Sequence, residues 1–279
     1  MRKDLIDVFV NGIPGKMATQ VAAYIMNNVG ARKIFYLCPY SLTGAEVAQK
    51  GKAVAGRRIY LFQPDIRGEW ANIVDRINDR KKVIVVDYTH PLAVEENVKL
   101  YCDLGVSFVL GTTGGDYERL KEIVSKSDAC AVIAPNMTKQ IVAFQAMMEF
   151  MAQNSPNVFS GYLLEIEESH QEGKADTSGT AKAMVKYFNA LGIPFSADQI
   201  KKIRDPKMQR AMGVPKKYLT GHGWHTYTVR SPEGDIFFQF VHNINGREVY
   251  ARGTADAIAF LYDNYQAGRV YTMQDVLRG

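Results

Sequence analysis

Residues 5–18 read LIDVFVNGIPGKMA, a short apolar run that breaks into a glycine turn and then into helix-forming sequence. The run from Leu5 to Val10 predicts a buried strand, and Val21, Ala22, Ile25 and Met26 recur at helical spacing after the turn. Strand, glycine turn and helix, in that order, is the arrangement that binds a dinucleotide. Gly12 permits the tight turn, Gly15 lets a pyrophosphate approach the backbone, and Ala18 packs the helix against the strand. An ordinary strand-to-helix turn shares the pattern, so the choice rests on what surrounds it.

Further apolar strands are expected at 33–37, 83–86, 108–110 and 131–133, each ending in polar or glycine-rich sequence. Repeated β–α units imply an α/β fold with a Rossmann-like doubly wound parallel sheet, which takes its ligands at the carboxyl ends of the strands. Those ends carry Asp87 and Thr89, then Gly111, Thr112, Thr113 and Gly114, then Ala134, Pro135, Asn136 and Met137, all candidate cofactor contacts. His90 lies on the same side. The second strand ends in Cys38-Pro39-Tyr40-Ser41, without the acid that would bind an adenosine ribose 2′-hydroxyl. With Lys16 nearby and the hydroxyls of Tyr40 and Ser41 at hand, this favours NADPH; NADH, held by backbone contacts, is the alternative.

A second segment carries the chemistry. Residues 165–181 read EIEESHQEGKADTSGTA. Alternation from Tyr162 to Glu167 predicts a strand, and Ala181, Met184, Val185, Phe188 and Leu191 predict a helix starting near Thr180, capped by Ser178 or Thr180. The loop between them would turn the amides of Gly179, Thr180 and Ala181 toward an anion. Lys174 adds a cation, and His170 is the side chain best suited to exchange a proton near neutral pH. Asp176 is expected to pair with Lys174 or to stiffen the turn.

Composition narrows the field. The chain has 279 residues, 47% of them hydrophobic, enough for one large domain or two ordinary ones. Its 34 Lys and Arg against 29 Asp and Glu suit a small anionic ligand and, with no long basic run, do not point to nucleic acid. Cys38, Cys102 and Cys130 form neither a disulfide framework nor a zinc pattern, so a reducing compartment is expected and no metal site. No stretch reaches the roughly 18 apolar residues of a membrane span. The cytoplasm is the expected location, or the plastid stroma if a transit peptide has been removed.

In order along the chain, NGIPGKM, VVDYTHP, VLGTTGG, IAPNMTKQIVAF and ESHQEGKADTSGTAKAM resemble the dihydrodipicolinate (4-hydroxy-tetrahydrodipicolinate) reductase family of lysine and diaminopimelate biosynthesis. GHGWHTYTV, FFQFVHNINGREVYARGTADAIAFL and the ending VYTMQDVLRG look like the plant and cyanobacterial branch. The resemblance implies NAD(P)H-dependent reduction of a cyclic dicarboxylate, with His170 as proton donor and Lys174 anchoring the substrate. It places Ser178, Gly179 and Thr180 on the substrate-carboxylate loop. It also puts Gly12, Gly15, Lys16 and Met17 on the pyrophosphate turn, Gly111–114 beside the nicotinamide, and 134–137 over the cofactor. The common bacterial pattern pairs two histidines where this chain has His170-Gln171, and the loop reads DTSGT without its usual proline. Gln171 is left between a substrate hydrogen bond and a spacer.

The resemblance also implies a dinucleotide-binding domain of residues 1–136 and 254–279. A substrate-binding and oligomerisation domain of 137–253 would be α+β with an open mixed sheet, its strands including 162–168, 224–230, 236–242 and 247–252, in a homodimer or homotetramer. The C-terminal helix, with Ala255, Ile258, Ala259 and Tyr262 on one face, is expected to return to the nucleotide domain. His225 and His242 are expected as strand histidines with structural roles, and 201–210 as a solvated surface. The rival readings are another two-domain dehydrogenase and a non-catalytic NADPH-binding sensor. A semialdehyde dehydrogenase needs a nucleophilic cysteine, and none of the three lies in a matching context; a sensor should have lost the pair His170 and Lys174, and both are present.

Overall fold

The computed structural model describes residues 5–27 and 35–279. The chain divides into two compact units, one of Met1–Lys139 with Tyr250–Gly279 and one of Gln140–Val249. These boundaries lie a few residues from those drawn on sequence, and one glycine accounts for part of the difference. A Cβ on Gly253 would stand 1.7 Å from the carbonyl oxygen of Met137, so these two backbones touch and stay in one unit.

The first unit is built on a six-stranded parallel sheet of order β13-β8-β7-β6-β1-β2. Its central strands β1 (Ile6–Asn11), β6 (Val83–Asp87), β7 (Ser107–Leu110) and β8 (Ala131–Ile133) are almost wholly buried, and their near-continuous apolar sequences fit a sheet covered on both faces. The edges are β2 (Phe35–Leu37) and β13 (Val270–Tyr271). Lys33 and Ile34 of the expected second strand lie outside the described residues. Helices α1 (Lys16–Asn27), α2 (Arg67–Asp75), α3 (Val94–Asp103) and α4 (Tyr117–Ser125) alternate with the strands. Phe9 meets Trp70 edge-on at 5.5 Å, and Tyr101 lies 5.4 Å from Phe108, joining helices to sheet in one core.

A small sheet of order β3-β5-β4 was not legible in the sequence: β3 (Tyr40–Leu42), β4 (Gly51–Val54) and β5 (Arg57–Phe62). The turn between β4 and β5 is Ala55-Gly56, with positive φ at both residues. Alanine rarely adopts that conformation, so the Asn-Gly or Asp-Gly signature of a tight hairpin is missing.

The second unit carries a four-stranded mixed sheet of order β10-β9-β11-β12: β9 (Leu163–His170), β10 (Lys201–Ile203), β11 (His222–Arg230) and β12 (Phe237–Asn245). Helices α5 (Lys139–Asn154) and α6 (Gly179–Ala190) contribute Met148, Met184 and Phe188 to a core with Ile166, Tyr227 and Val229 from the sheet. Helix α7 (Pro206–Ala211) follows β10.

The expected strand at 247–252 is instead the start of α8 (Glu248–Asp263). Ala251, Ala255, Ile258 and Leu261 recur at helical spacing and are buried, so the helical period overrides the short Val249-Tyr250 run. This moves the buried face away from Ala259 and Tyr262, which are half-buried and exposed. Helix α9 (Met273–Arg278) ends the chain behind a Thr272–Asp275 capping box. Among the described residues no helix is long and apolar enough to cross a membrane.

Candidate active site

At the carboxyl end of β1 the chain turns sharply at Gly12. Its φ is +101°, and a Cβ there would lie 2.2 Å from the carbonyl oxygen of Tyr88, so only glycine fits. Gly15 donates to the Gly12 carbonyl at 2.8 Å and is exposed together with Lys16, while Met17 is half-buried at the head of α1. The turn is held from below by Ser41, whose buried hydroxyl accepts the Ile13 amide, and by Asn11, whose Oδ1 accepts the Leu42 amide. Ser41 is therefore spent on the protein and does not face a ribose phosphate as the sequence suggested. Half-buried Tyr40 packs at 5.9 Å from Tyr60. From β4, Lys52 places its ammonium 3.2 Å from the Pro14 carbonyl, a cation beside the turn that the sequence did not reveal.

Asp87 is likewise an internal group. Fully buried at the end of β6, it accepts from the Thr89 amide and hydroxyl, the Thr112 hydroxyl, Asn97 Nδ2 and the Tyr101 hydroxyl. These bonds fix the loops after β6 and β7 in one arrangement. Thr113 and Gly114 beyond them are exposed, with Gly114 at φ +100°. Gly111 packs so closely on the Tyr88 ring that a Cβ would lie 2.4 Å from it. After β8, the Ala134 amide bonds to the Leu110 carbonyl, Pro135 is exposed, Asn136 Oδ1 accepts the Thr138 amide, and Met137 is buried. His90 is exposed and its Nδ1 caps the next turn by accepting from Leu92. A close-approach glycine turn, a helix N-terminus and exposed glycine loops at neighbouring strand ends fit the phosphates and ring of a dinucleotide.

In the second unit, sheet register gathers a different set of groups. Glu168, His225 and His242 stand directly opposite one another across β9, β11 and β12, and His170 stands opposite Gly223. Lacking a side chain, Gly223 leaves room for the His170 ring, whose Cε1 would lie 3.0 Å from a Cβ there. The His170 ring meets His225 edge-on at 5.2 Å, and His225 stacks on His242 at 4.6 Å. His170 Nδ1 lies 3.0 Å from the His222 carbonyl oxygen, which only accepts, so Nδ1 carries the hydrogen of the neutral ring. Its Nε2 is buried and without a hydrogen-bond partner, as are both ring nitrogens of His225.

The loop after His170 is pinned by an ion pair whose carboxylate is buried. Glu168, fully buried, gives one oxygen to Arg204 and the other to the Ser178 amide, at 2.8 Å, just where α6 begins. Arg204 also donates to the carbonyls of Lys174 and Asp176. Lys174 pairs with exposed Asp176 at 2.7 Å, and that bond holds the Asp176 carboxyl below its usual range. Gln209 of α7 donates to the His170 carbonyl at 2.6 Å. Ser178 is the N-cap of α6 by position, without a side-chain capping bond, and Gly179 and Thr180 form its first turn. Half-buried Gln171 gives its carbonyl to the Lys174 amide.

Burial, with the charges of Lys174 and Arg204, pushes His170 down to about 4. Burial takes His242 to about 4 and His225 well below the ordinary imidazole value. His222 is a satisfied structural histidine, bonded to Ser169 and to the Tyr218 carbonyl.

Sequence reasoning grouped His170, Lys174 and Ser178–Thr180; the Lys174 charge bears on the His170 ring, and Arg204 with Glu168 links the Lys174 loop to the Ser178 amide. It missed Glu168, Arg204 and Gln209, and it treated 201–210 as a solvated surface. Arg204 and Gln209 turn inward because β10 pairs in parallel with β9, a long-range contact no local pattern signals. His225 and His242 belong to this cluster as well, and the pairing of β9, β11 and β12 brings them there.

A Rossmann-like nucleotide-binding unit joined to a mixed-sheet unit that carries the His170 cluster defines a two-domain nucleotide-dependent oxidoreductase. Residues 6–137 match the family model for the dihydrodipicolinate reductase N-terminus, and residues 141–277 match that for its C-terminus. A chloroplastic 4-hydroxy-tetrahydrodipicolinate reductase of Arabidopsis thaliana is 43% identical over 98% of this chain and 77% of its own length. The 4-hydroxy-tetrahydrodipicolinate reductase of Thermosynechococcus vestitus is 32% identical over 91% of each chain. A dipicolinate-bound dihydrodipicolinate reductase from Paenisporosarcina sp. TG-14 shares the fold, with a TM-score of 0.65 and 18% identity over 96% of this chain and 97% of that one. The chain belongs to the dihydrodipicolinate reductase family, and its cofactor is a nicotinamide dinucleotide.

Proposed function

We propose that the chain reduces 4-hydroxy-tetrahydrodipicolinate to tetrahydrodipicolinate, the reaction named for its relatives. The observation that carries this reading is His170, with a bare Nε2, the Lys174 charge acting on its ring, and a strand neighbour, Glu168, that holds the Ser178 amide ahead of α6. A cyclic dicarboxylate finds the Lys174 ammonium, the amides of Gly179 and Thr180 in the first turn of α6, and the hydroxyl of Ser178, whose amide is held by Glu168. The bound dinucleotide supplies the hydride. His170 Nε2 supplies the proton that completes reduction at the adjoining ring carbon. Glu168 and Arg204 do not meet the substrate; they hold the loop that presents Lys174.

Residues 1–139 with 250–279 bind the cofactor in this reading, and 140–249 bind the substrate and a second copy of the chain. Gly12, Gly15, Lys16 and Met17 hold the pyrophosphate, and Gly111–114 with 134–137 hold the nicotinamide half, with Asp87, Thr89 and Ser41 shaping the loops from within. NADPH is the preferred form. Its support is the missing acid after β2, with Lys16 and Lys52 as cations beside the glycine turn. The sheet face bearing Leu163, Phe237 and Val241 leaves these apolar side chains 63%, 49% and 54% exposed, which suits a homo-oligomer interface. A dimer or tetramer in the cytoplasm or plastid stroma fits this reading.

The test is NADPH oxidation with substrate generated in situ by a dihydrodipicolinate synthase from pyruvate and aspartate semialdehyde. Synthase-dependent consumption is expected, faster with NADPH than with NADH. NADPH binding without consumption would overturn the assignment in favour of a sensor.

A further inference from the structure

His170 presents a problem for an acid. Its Nδ1 hydrogen is committed to the His222 carbonyl, so a transferable proton must sit on Nε2, which is buried and bare. The groups around it oppose that proton. Lys174 in the loop and Arg204 after β10 are both cations, and His222 and His225 on β11 and His242 on β12 are imidazoles that burial keeps neutral. The nearby carboxylates, Glu168 and Asp176, are bonded to those same cations and give Nε2 no hydrogen bond: Glu168 goes to Arg204 and the Ser178 amide, and Asp176 to Lys174.

We infer that a dicarboxylate ligand and a proton enter this site together, the anion drawing the proton onto Nε2 of His170. The acid is then created by substrate binding rather than stored in the free protein. This rests on the assignment of His170 and Lys174 proposed above. A ligand carrying two negative charges cancels the field of Lys174 and Arg204, and the proton comes from solvent. The N–H bond formed at Nε2 is the bond broken when the ring carbon is protonated, which leaves the imidazole neutral for the next cycle. The free ring sits at about 4, so near neutral pH it begins unprotonated and has a whole proton to gain.

Glu168, His170 and His225 also offer ligand atoms within 4.8 Å of one another, close enough for a small cation to bridge. The flanking guanidinium and ammonium favour an anion with its proton over a dication.

The experiment is calorimetry of pyridine-2,6-dicarboxylate binding to the full chain saturated with NADPH, near pH 7, in buffers of different ionisation enthalpy. The expected result is uptake of close to one proton per ligand, with Kd tightening about tenfold per pH unit between roughly pH 8 and pH 6. H170Q is expected to bind with uptake near zero. The His170 Nε2 nitrogen resonance of the unaltered protein should move to its imidazolium position on adding ligand, a readout that does not depend on any variant folding. Binding without proton uptake overturns the coupling and leaves the site assignment standing. No binding, or binding unchanged in K174A, overturns the site assignment and the coupling with it. Full uptake retained in H170Q puts the proton elsewhere and rejects the inference.

Discussion

Arg204 and Glu168, 36 residues apart, form an ion pair with a fully buried carboxylate that ties the segment after β10 to β9 and, through the other Glu168 oxygen, to the Ser178 amide at the N-cap of α6. Three elements around the 171–178 loop therefore share one carboxylate.

Replacing Arg204 leaves the Glu168 carboxylate buried without its cation. Arg204→Met is expected to cost about 3–5 kcal/mol in denaturant unfolding, while Glu168→Gln/Arg204→Met together recover much of that loss. A double variant no more stable than the single one would show that the pair is not coupled.

His170→Gln should lower turnover about 100- to 10,000-fold with NADPH affinity unchanged. Lys174→Ala should mainly raise the substrate KM. Steady-state kinetics beside a cofactor-binding titration separates the two, and loss of NADPH binding in the first variant would contradict the proposed role.

Gly12→Ala meets both a left-handed φ and the Tyr88 carbonyl, a backbone atom that cannot swing aside. It is expected to destabilise the first unit by on the order of 3 kcal/mol and to weaken dinucleotide binding. Thermal unfolding with and without NADPH reads both effects; a variant as stable and as well stabilised by NADPH as the parent chain would refute the tight turn.

His170 and His242 are both held near 4, below the 6.5 of an ordinary imidazole. Between those values the unfolded chain binds more protons than the native one. Stability is therefore fully present above about pH 6.5 and falls as pH drops toward 4, by at most about 1.4 kcal/mol per pH unit for each ring. Urea unfolding at about pH 7, 6 and 5 should show the decline, and His242→Gln should make it shallower. A flat profile would exclude neutral buried imidazoles.

Charges on the open sheet face should dissociate the proposed assembly. Phe237→Glu with Val241→Glu is expected to shift sedimentation to the monomer with secondary structure retained, and an unshifted profile would place the interface elsewhere.

Much of this protein was legible along the chain. The strand–glycine–helix opening, the apolar strand at 83–86 and the anion loop at 165–181 are local patterns, because turn conformation, strand burial and helix capping depend on near neighbours. What escaped depended on residues far apart. The β4–β5 hairpin turns on an alanine with positive φ, and Val249-Tyr250 has local strand character that a buried helical face overrides. Asp87 and Ser41 look like ligand contacts in sequence, yet partners from α3, from the loop after β7 and from the glycine turn draw them inward.

The sequence by itself determined the sheet type, the glycine turn after the first strand and the grouping of His170 and Lys174 in one strand-and-loop segment. Only the tertiary structure decided that Arg204, His225 and His242 stand with them. Strand register, set by side chains that must share one buried face, brings together residues that no spacing along the chain connects.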